Sequence, residues 1–209
     1  RKICKKTDER PAIERLNELI GMQKAKDEIL SFLKVNNLKK LRNKNDDSKF
    51  KSRIDLFKEP SVGKVDKFNV HFALMGNPGT GKTTIARLIG EILFEAGILS
   101  VGHTVAVKAS ELKGDYNSTT EEKTAQHIRN AMGGVLFVDE AYQLAEDNNQ
   151  SALTMITAAM SEHDGEFAVI FAGYEDKIME MITSNKGNVG LERRFANKIH
   201  LDDYTSAEL

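Results

Sequence analysis

Cysteine is almost absent from these 209 residues, with Cys4 standing alone. One thiol cannot form an internal disulfide framework, which points to a reducing compartment. Close to the start of the chain it reads as an ordinary thiol. No apolar run is long enough to span a bilayer, and the first residues lack the pattern of a secretory signal. An excess of one charge is missing as well: 30 Lys and Arg meet 31 Asp and Glu, a formal net charge of −1. Dedicated nucleic-acid binders usually carry a basic excess, so this balance argues against one. What is present fits a cytoplasmic globular domain. Hydrophobic residues make up 40% of the chain, enough for a core, and the length suits one large domain or a domain with extensions.

Composition divides the chain into four stretches. Residues 1–15 form a polar lead-in that is basic at Arg1, Lys2, Lys5, Lys6 and Arg10. Residues 16–67 form a helical and linker segment. Within it, Ala25, Ile29, Phe32 and Leu33 recur at helical spacing over residues 22–41. From Lys39 to Lys67 periodicity is weak, which predicts a helix end followed by an exposed, partly disordered loop. The basic run Lys39, Lys40, Arg42 and Lys44 is followed by Asp46 and Asp47, so it reads as a solvated face.

Residues 68–203 alternate between strands and helices, and residues 204–209 follow them. Strands are predicted at Asn69–Met75, Thr104–Lys108, Val135–Val138, Phe167–Ala172 and Lys198–Leu201, with helices at Thr83–Ala96, Thr120–Met132, Ser151–Ser161 and Asp176–Thr183. Alternation of this kind implies an α/β fold: a five-stranded, mostly parallel sheet covered by helices on both faces. The uniformly apolar Val135-Leu136-Phe137-Val138 fits a strand buried on both sides. His71, in the first strand, reads as a core or edge histidine. Met155, Met160, Met179 and Met181 read as core fillers. Glu162-His163-Asp164 lies in a turn without a second cluster of metal-capable side chains.

The strongest chemical signal is Gly76-Asn77-Pro78-Gly79-Thr80-Gly81-Lys82-Thr83, a complete G-x-x-x-x-G-K-[ST] loop between a predicted strand and a predicted helix. Its glycines let backbone N–H groups turn inward around a polyphosphate. The following helix adds free donors and the positive end of its dipole. Lys82 suits the β- and γ-phosphates, the Thr83 hydroxyl suits Mg²⁺, and Thr84 continues the loop. The second signal is the apolar strand that ends in Asp139-Glu140. Asp139 is placed to orient the Mg²⁺ shell, and Glu140 to polarise an attacking water. Ligands of such sheets bind at the carboxyl ends of strands, where both motifs fall.

Longer segments resemble a known family. They are Leu16-Asn17-Glu18-Leu19-Ile20-Gly21, Gly76 to Thr84, Gly133-Gly134 through Asp139-Glu140-Ala141-Tyr142, Phe171-Ala172-Gly173-Tyr174 and Gly190-Leu191-Glu192-Arg193-Arg194-Phe195. Together they resemble the large ATPase subdomain of AAA+ ATPases of the CbbX/SpoVK-like (CbxX/CfqX) group. The resemblance runs from about Leu16 to the end of the chain. It implies that Ile20-Gly21 packs against adenine, an ordinary turn being the other reading. It implies that Arg194 is an arginine finger entering a neighbouring subunit, with Arg193 as the alternative, and hence a homo-oligomeric ring, usually a hexamer. Tyr116 resembles the aromatic residue of a central-pore loop, although Asn117 and Ser118 replace the group's usual aliphatic residue and glycine. Tyr174 stands where many AAA+ proteins place a water-sensing asparagine. Residues Asp202 to Glu208 resemble the junction into a small helical lid. A stretch ending at Leu209 is therefore expected to bind ATP or ADP weakly and to hydrolyse ATP slowly.

The implied function is an ATPase, with ATP/ADP and Mg²⁺ as ligands, that remodels a protein client. The alternative is a nucleotide-switched scaffold or assembly factor, related to sporulation or secretion, with slow turnover. A nucleic-acid-handling AAA+ protein is a weaker third reading. No membrane association is expected.

Overall fold

In the computed structural model, the described residues are 10–35, 69–114, 117–145, 150–183 and 190–204. The helix end and loop predicted from Lys39 to Lys67, with its basic run, and Tyr116 lie outside them. Two helices lead: α1 (Ala12–Glu18) and α2 (residues 23–35). The alternating part follows as β1 (Phe72–Met75), α3 (Lys82–Glu95), β2 (Thr104–Lys108), α4 (Ala109–Leu112), α5 (Asn117–Ala131) and β3 (Val135–Asp139). A 3₁₀ turn (Ala141–Ala145) then leads to α6 (Gln150–Glu162), β4 (Ala168–Gly173), α7 (Glu175–Thr183), α8 (Leu191–Arg194) and β5 (Asn197–His200). All four strand pairings are parallel, in the order β2-β3-β4-β1-β5.

The centre of the sheet is buried on both faces because β1, β4 and β3 as far as Val138 are apolar throughout, and the two-residue pleat sorts their side chains between two cores. Phe72, Leu74, Val135, Phe137, Ile170 and Ala172 join α3 and the two leading helices on one face. Ala73, Met75, Leu136, Val138, Val169 and Phe171 join α5, α6 and α7 on the other. The helical spacing predicted for residues 22–41 holds within α2, where Ala25, Ile29 and Leu33 are buried and Phe32 packs edge-on against Phe72 at 4.9 Å. The leading helices are tied to α3. Glu95 accepts the backbone N–H of Ala12 at 3.0 Å, and Arg15 pairs with Glu91.

The sheet departs from the predicted pattern at the start of β1, which begins at Phe72 and not at Asn69. Side chains replace the ladder there. The His71 N–H donates to Asn69 Oδ1 at 3.3 Å, and Asn197 Nδ2 donates to the carbonyls of Asn69 and His71 at 2.9 Å. His71 is therefore a core histidine just outside the strand. It is 4% exposed, and its Nδ1 accepts the backbone N–H of Val169 at 3.0 Å. Burial pulls its pKa down to about 4, so the ring is neutral, as an acceptor must be.

The double glycine before β3 has a steric origin. Gly133 has φ of +80°, and a Cβ on Gly134 would lie 2.3 Å from the His103 carbonyl oxygen. Only glycines let the chain turn from α5 into β3 beneath that carbonyl. Among the described residues no helix is long and apolar enough to cross a membrane.

Candidate active site

The carboxyl ends of three adjacent strands meet at one cavity of about 390 Å³. From β1 come Gly76 and the loop; from β3, Asp139 and Glu140; from β4, Gly173 and Tyr174. Strand register brings them level. Met75 pairs with Gly173, and the Gly76 N–H donates to the Gly173 carbonyl at 3.1 Å. The lining also includes Pro78, Gly79, Gly81, Lys82, Thr83 and Thr84.

The loop folds locally as its motif predicts. Gly81 sits in the left-handed region at φ +83° and starts α3, a conformation that costs other residues energy. Thr80 is buried, and its hydroxyl donates to the Asn77 carbonyl at 2.8 Å, closing the loop on itself. Lys82 Nζ donates to the carbonyls of Gly76 at 2.9 Å and Asn77 at 2.6 Å. Burial pulls the Lys82 ammonium below the usual lysine range, and the carboxylates of Asp139, Asp203 and Glu140 oppose that shift.

Asp139 and Glu140 diverge because the chain turns sharply between them. Glu140 has φ of +51°, unusual for a residue with a side chain. Its N–H donates to Asp139 Oδ1 at 3.0 Å, and Gln143 Nε2 donates to Glu140 Oε2 at 2.8 Å. Strained backbone of this kind concentrates at functional sites. Behind the acids, the rings of Tyr142 and Tyr174 lie 6.2 Å apart, with Lys177 Nζ 4.5 Å from the Tyr142 centroid and 5.5 Å from that of Tyr174.

Of the residues singled out in the sequence, Pro78, Gly79, Gly81, Lys82, Thr83, Thr84, Asp139, Glu140 and Tyr174 share this cavity. Asn77 and Thr80 belong to the loop but are engaged elsewhere, Asn77 with Asp203 at 2.7 Å. Ile20 and Gly21 stay out of the lining, and Ile20 is 63% exposed. Their neighbour Met22 reaches the loop: its Cε lies 3.1 Å from where a Gly81 Cβ would stand. Lys26, buried, holds that turn by donating to the carbonyls of Asn17 at 3.1 Å and Leu19 at 2.5 Å. Arg194 is outside the cavity. It donates to Ser161 Oγ at 2.6 Å and to the Gly190 carbonyl at 3.1 Å, while Arg193 is exposed.

Sequence reasoning missed Gly173, Met22, Lys26, Gln143 and Asp203. Gly173 and Asp203 lay inside quoted segments without a role of their own; Met22, Lys26 and Gln143 carry no local signal, because each is defined by a contact.

The donors fit the expected ligands. The loop offers glycine-framed backbone and one lysine to a polyphosphate. Thr83 and Asp139 offer hard oxygens suited to Mg²⁺. Among the described residues no group of three His, Cys, Asp or Glu side chains is placed to cage a metal ion.

The model of the ATPase family associated with various cellular activities (AAA) matches residues 72–202. The chloroplastic ribulose bisphosphate carboxylase/oxygenase activase of Cyanidioschyzon merolae is 41% identical over 145 residues, which cover 67% of this chain and 48% of that protein. Stage V sporulation protein K of Bacillus subtilis is 39% identical over 150 residues, covering 70% and 46%. Protein CfxQ of Xanthobacter flavus is 40% identical over 145 residues, covering 67% and 45%. The chain thus spans about half the length of these relatives. Among solved structures, the P216G mutant of Thermotoga maritima RuvB superposes with a TM-score of 0.56 at 20% identity, covering 92% of this chain and 50% of that one, a likeness of fold. With the loop, the acids and the sheet order in place, the chain belongs to the AAA family of ATPases, in the group that includes CfxQ and stage V sporulation protein K.

Proposed function

We propose that this chain is the catalytic part of an ATP-hydrolysing machine that assembles as a ring, usually of six subunits in this family, and remodels a protein client. The observation that carries the reading is the convergence of the Gly76–Thr84 loop, Asp139 and Glu140 on one cavity at the ends of three neighbouring strands. Lys82 and the loop N–H groups bind the β- and γ-phosphates of ATP. Thr83 and Asp139 would hold Mg²⁺, which neutralises phosphate charge when bound. Glu140 takes a proton from water as its oxygen bonds to the terminal phosphorus and the bond to the ADP oxygen breaks. Tyr174, in the wall of the cavity, orders that water through its hydroxyl.

Ile20 and Gly21, carried beside the loop by Met22, receive the adenine. Arg194 of one subunit supplies positive charge to the site of the next. To do so it gives up its bonds to Ser161 and Gly190, whereas Arg193 is already exposed. Tyr116 grips the client. The balanced charge favours a protein client over nucleic acid, and the single cysteine, Cys4, fits a reducing, cytoplasmic location.

Glu140→Gln tests the core of this reading. ATP affinity is expected to stay within a few-fold of the parent while turnover falls by about a hundredfold or more, the scale of a lost general base. Unchanged turnover in single-turnover kinetics would remove Glu140 from the chemistry. The same variant, holding ATP, should retain its client in a pull-down.

A further inference from the structure

The four residues that follow β5 track the nucleotide loop position by position. The Leu201 N–H donates to the Met75 carbonyl at 2.7 Å, extending the sheet to the foot of the loop. The Leu201 carbonyl oxygen lies so close to Gly76 that a Cβ there would stand 2.6 Å from it. Asp203 Oδ2 accepts Asn77 Nδ2 at 2.7 Å. The Tyr204 hydroxyl oxygen lies 3.6 Å from where a Gly81 Cβ would stand. The strap thus meets the loop at its first, second and sixth residues, from the side opposite Asp139 and Glu140. It carries two carboxylates: Asp202 pairs with Lys24 at 3.3 Å, and Asp203 engages Asn77, whose carbonyl in turn accepts both Thr80 Oγ1 and Lys82 Nζ.

We infer that Asp203 is a positioning residue for nucleotide binding: through Asn77 it fixes the entry turn of the phosphate loop and ties that turn to the chain leaving at Tyr204. The inference rests on reading Gly76–Thr83 as the nucleotide loop. A carboxylate would not be chosen to touch phosphate, because like charges repel. Its use here is to hold the Asn77 amide, so that the Asn77 carbonyl faces Thr80 and Lys82. A loop held in its binding form saves the entropy of ordering it when nucleotide arrives. Nucleotide occupancy is then linked to the position of the strap, since a contact that favours binding is favoured by binding in return.

The test is ADP affinity, by calorimetry, for the parent chain, Asp203→Ala, Asp203→Asn, Asn77→Ala and the Asn77→Ala/Asp203→Ala double variant. Asp203→Ala is expected to weaken ADP binding roughly five- to tenfold, the scale of one ordinary hydrogen bond. Asp203→Asn keeps an acceptor for Asn77 and is expected to lie within twofold of the parent. Asn77→Ala should match Asp203→Ala, and the double variant should be no weaker than either single one, the signature of a coupled pair. Thermal melting of each variant separates loop positioning from general unfolding, because the strap residue is exposed and little change in Tm is expected. Additive losses, or parental affinity in Asp203→Ala, would overturn the inference and leave the nucleotide site standing. Failure of the parent to bind ADP would overturn the nucleotide site itself.

Discussion

The phosphate corner and the arginine corner stand at two places on one sheet and differ in how complete they are. At the phosphate corner the loop, Asp139, Glu140 and Tyr174 meet across a single cavity within one chain. At the arginine corner Arg194 is folded back on Ser161 and Gly190, and neither it nor Arg193 enters that cavity. The phosphate corner is built by local turns at strand ends, which any single copy can form. The arginine corner is built on long-range packing: Phe195 stacks on Phe171 at 4.5 Å, Asn69 Nδ2 donates to the Arg193 carbonyl at 2.7 Å, and His71 sits between Phe167 and Phe195. In the proposed ring, that rigid base beside an edge strand would present the cation to the neighbouring subunit.

The sharpest way to break this comparison is Arg194→Ala measured in the proposed ring. Turnover is expected to fall by about a thousandfold, the low end for an arginine finger, while ADP binding to a single chain changes less than twofold. If Arg193→Ala causes the loss instead, the exposed arginine is the finger and Arg194 is its structural support. Next in size is Lys82→Ala. Nucleotide affinity should drop by roughly a hundredfold, because the half-buried ammonium proposed to pair with the phosphates is removed. A loss in both corners from either variant would mean that they are not separable.

The smallest effect concerns the base of the arginine corner. His71 titrates at about 4 in the folded chain against an ordinary 6.5, so the unfolded chain takes up the proton first. Stability is then present above about pH 6.5 and is lost as pH falls toward 4, by about 2 kcal/mol at pH 5. Urea denaturation at pH 7 and pH 5 should show that loss in the parent. It should be largely absent in His71→Gln, which offers Val169 an acceptor that does not titrate. An equal loss in both proteins would assign the acid sensitivity to other groups.

The two corners also differed in how far they could be read beforehand. The phosphate loop was legible because its glycines, lysine and threonine act within eight consecutive residues. The central strands were legible because apolar runs buried on both faces have no polar position to disguise them. The early end of β1 was not, since Asn69 and Asn197, far apart in sequence, supply the hydrogen bonds that a longer strand would have made. Arg194 could be singled out by resemblance, but its hold on Ser161 joins two elements that no local pattern connects.

The sequence by itself determined the α/β alternation, the phosphate loop and the acid pair after β3, because each depends on residues adjacent in the chain and on side-chain periodicity. Only the tertiary structure decided that β4 would lie between β1 and β3, bringing Gly173 and Tyr174 into the cavity. It also decided that Asp203 would meet Asn77, that His71 would serve as a buried acceptor, and that Arg194 would be turned away from its own site. Those outcomes depend on which distant surfaces pack together. Strand order and register set that packing, and neither is written in any short run of residues.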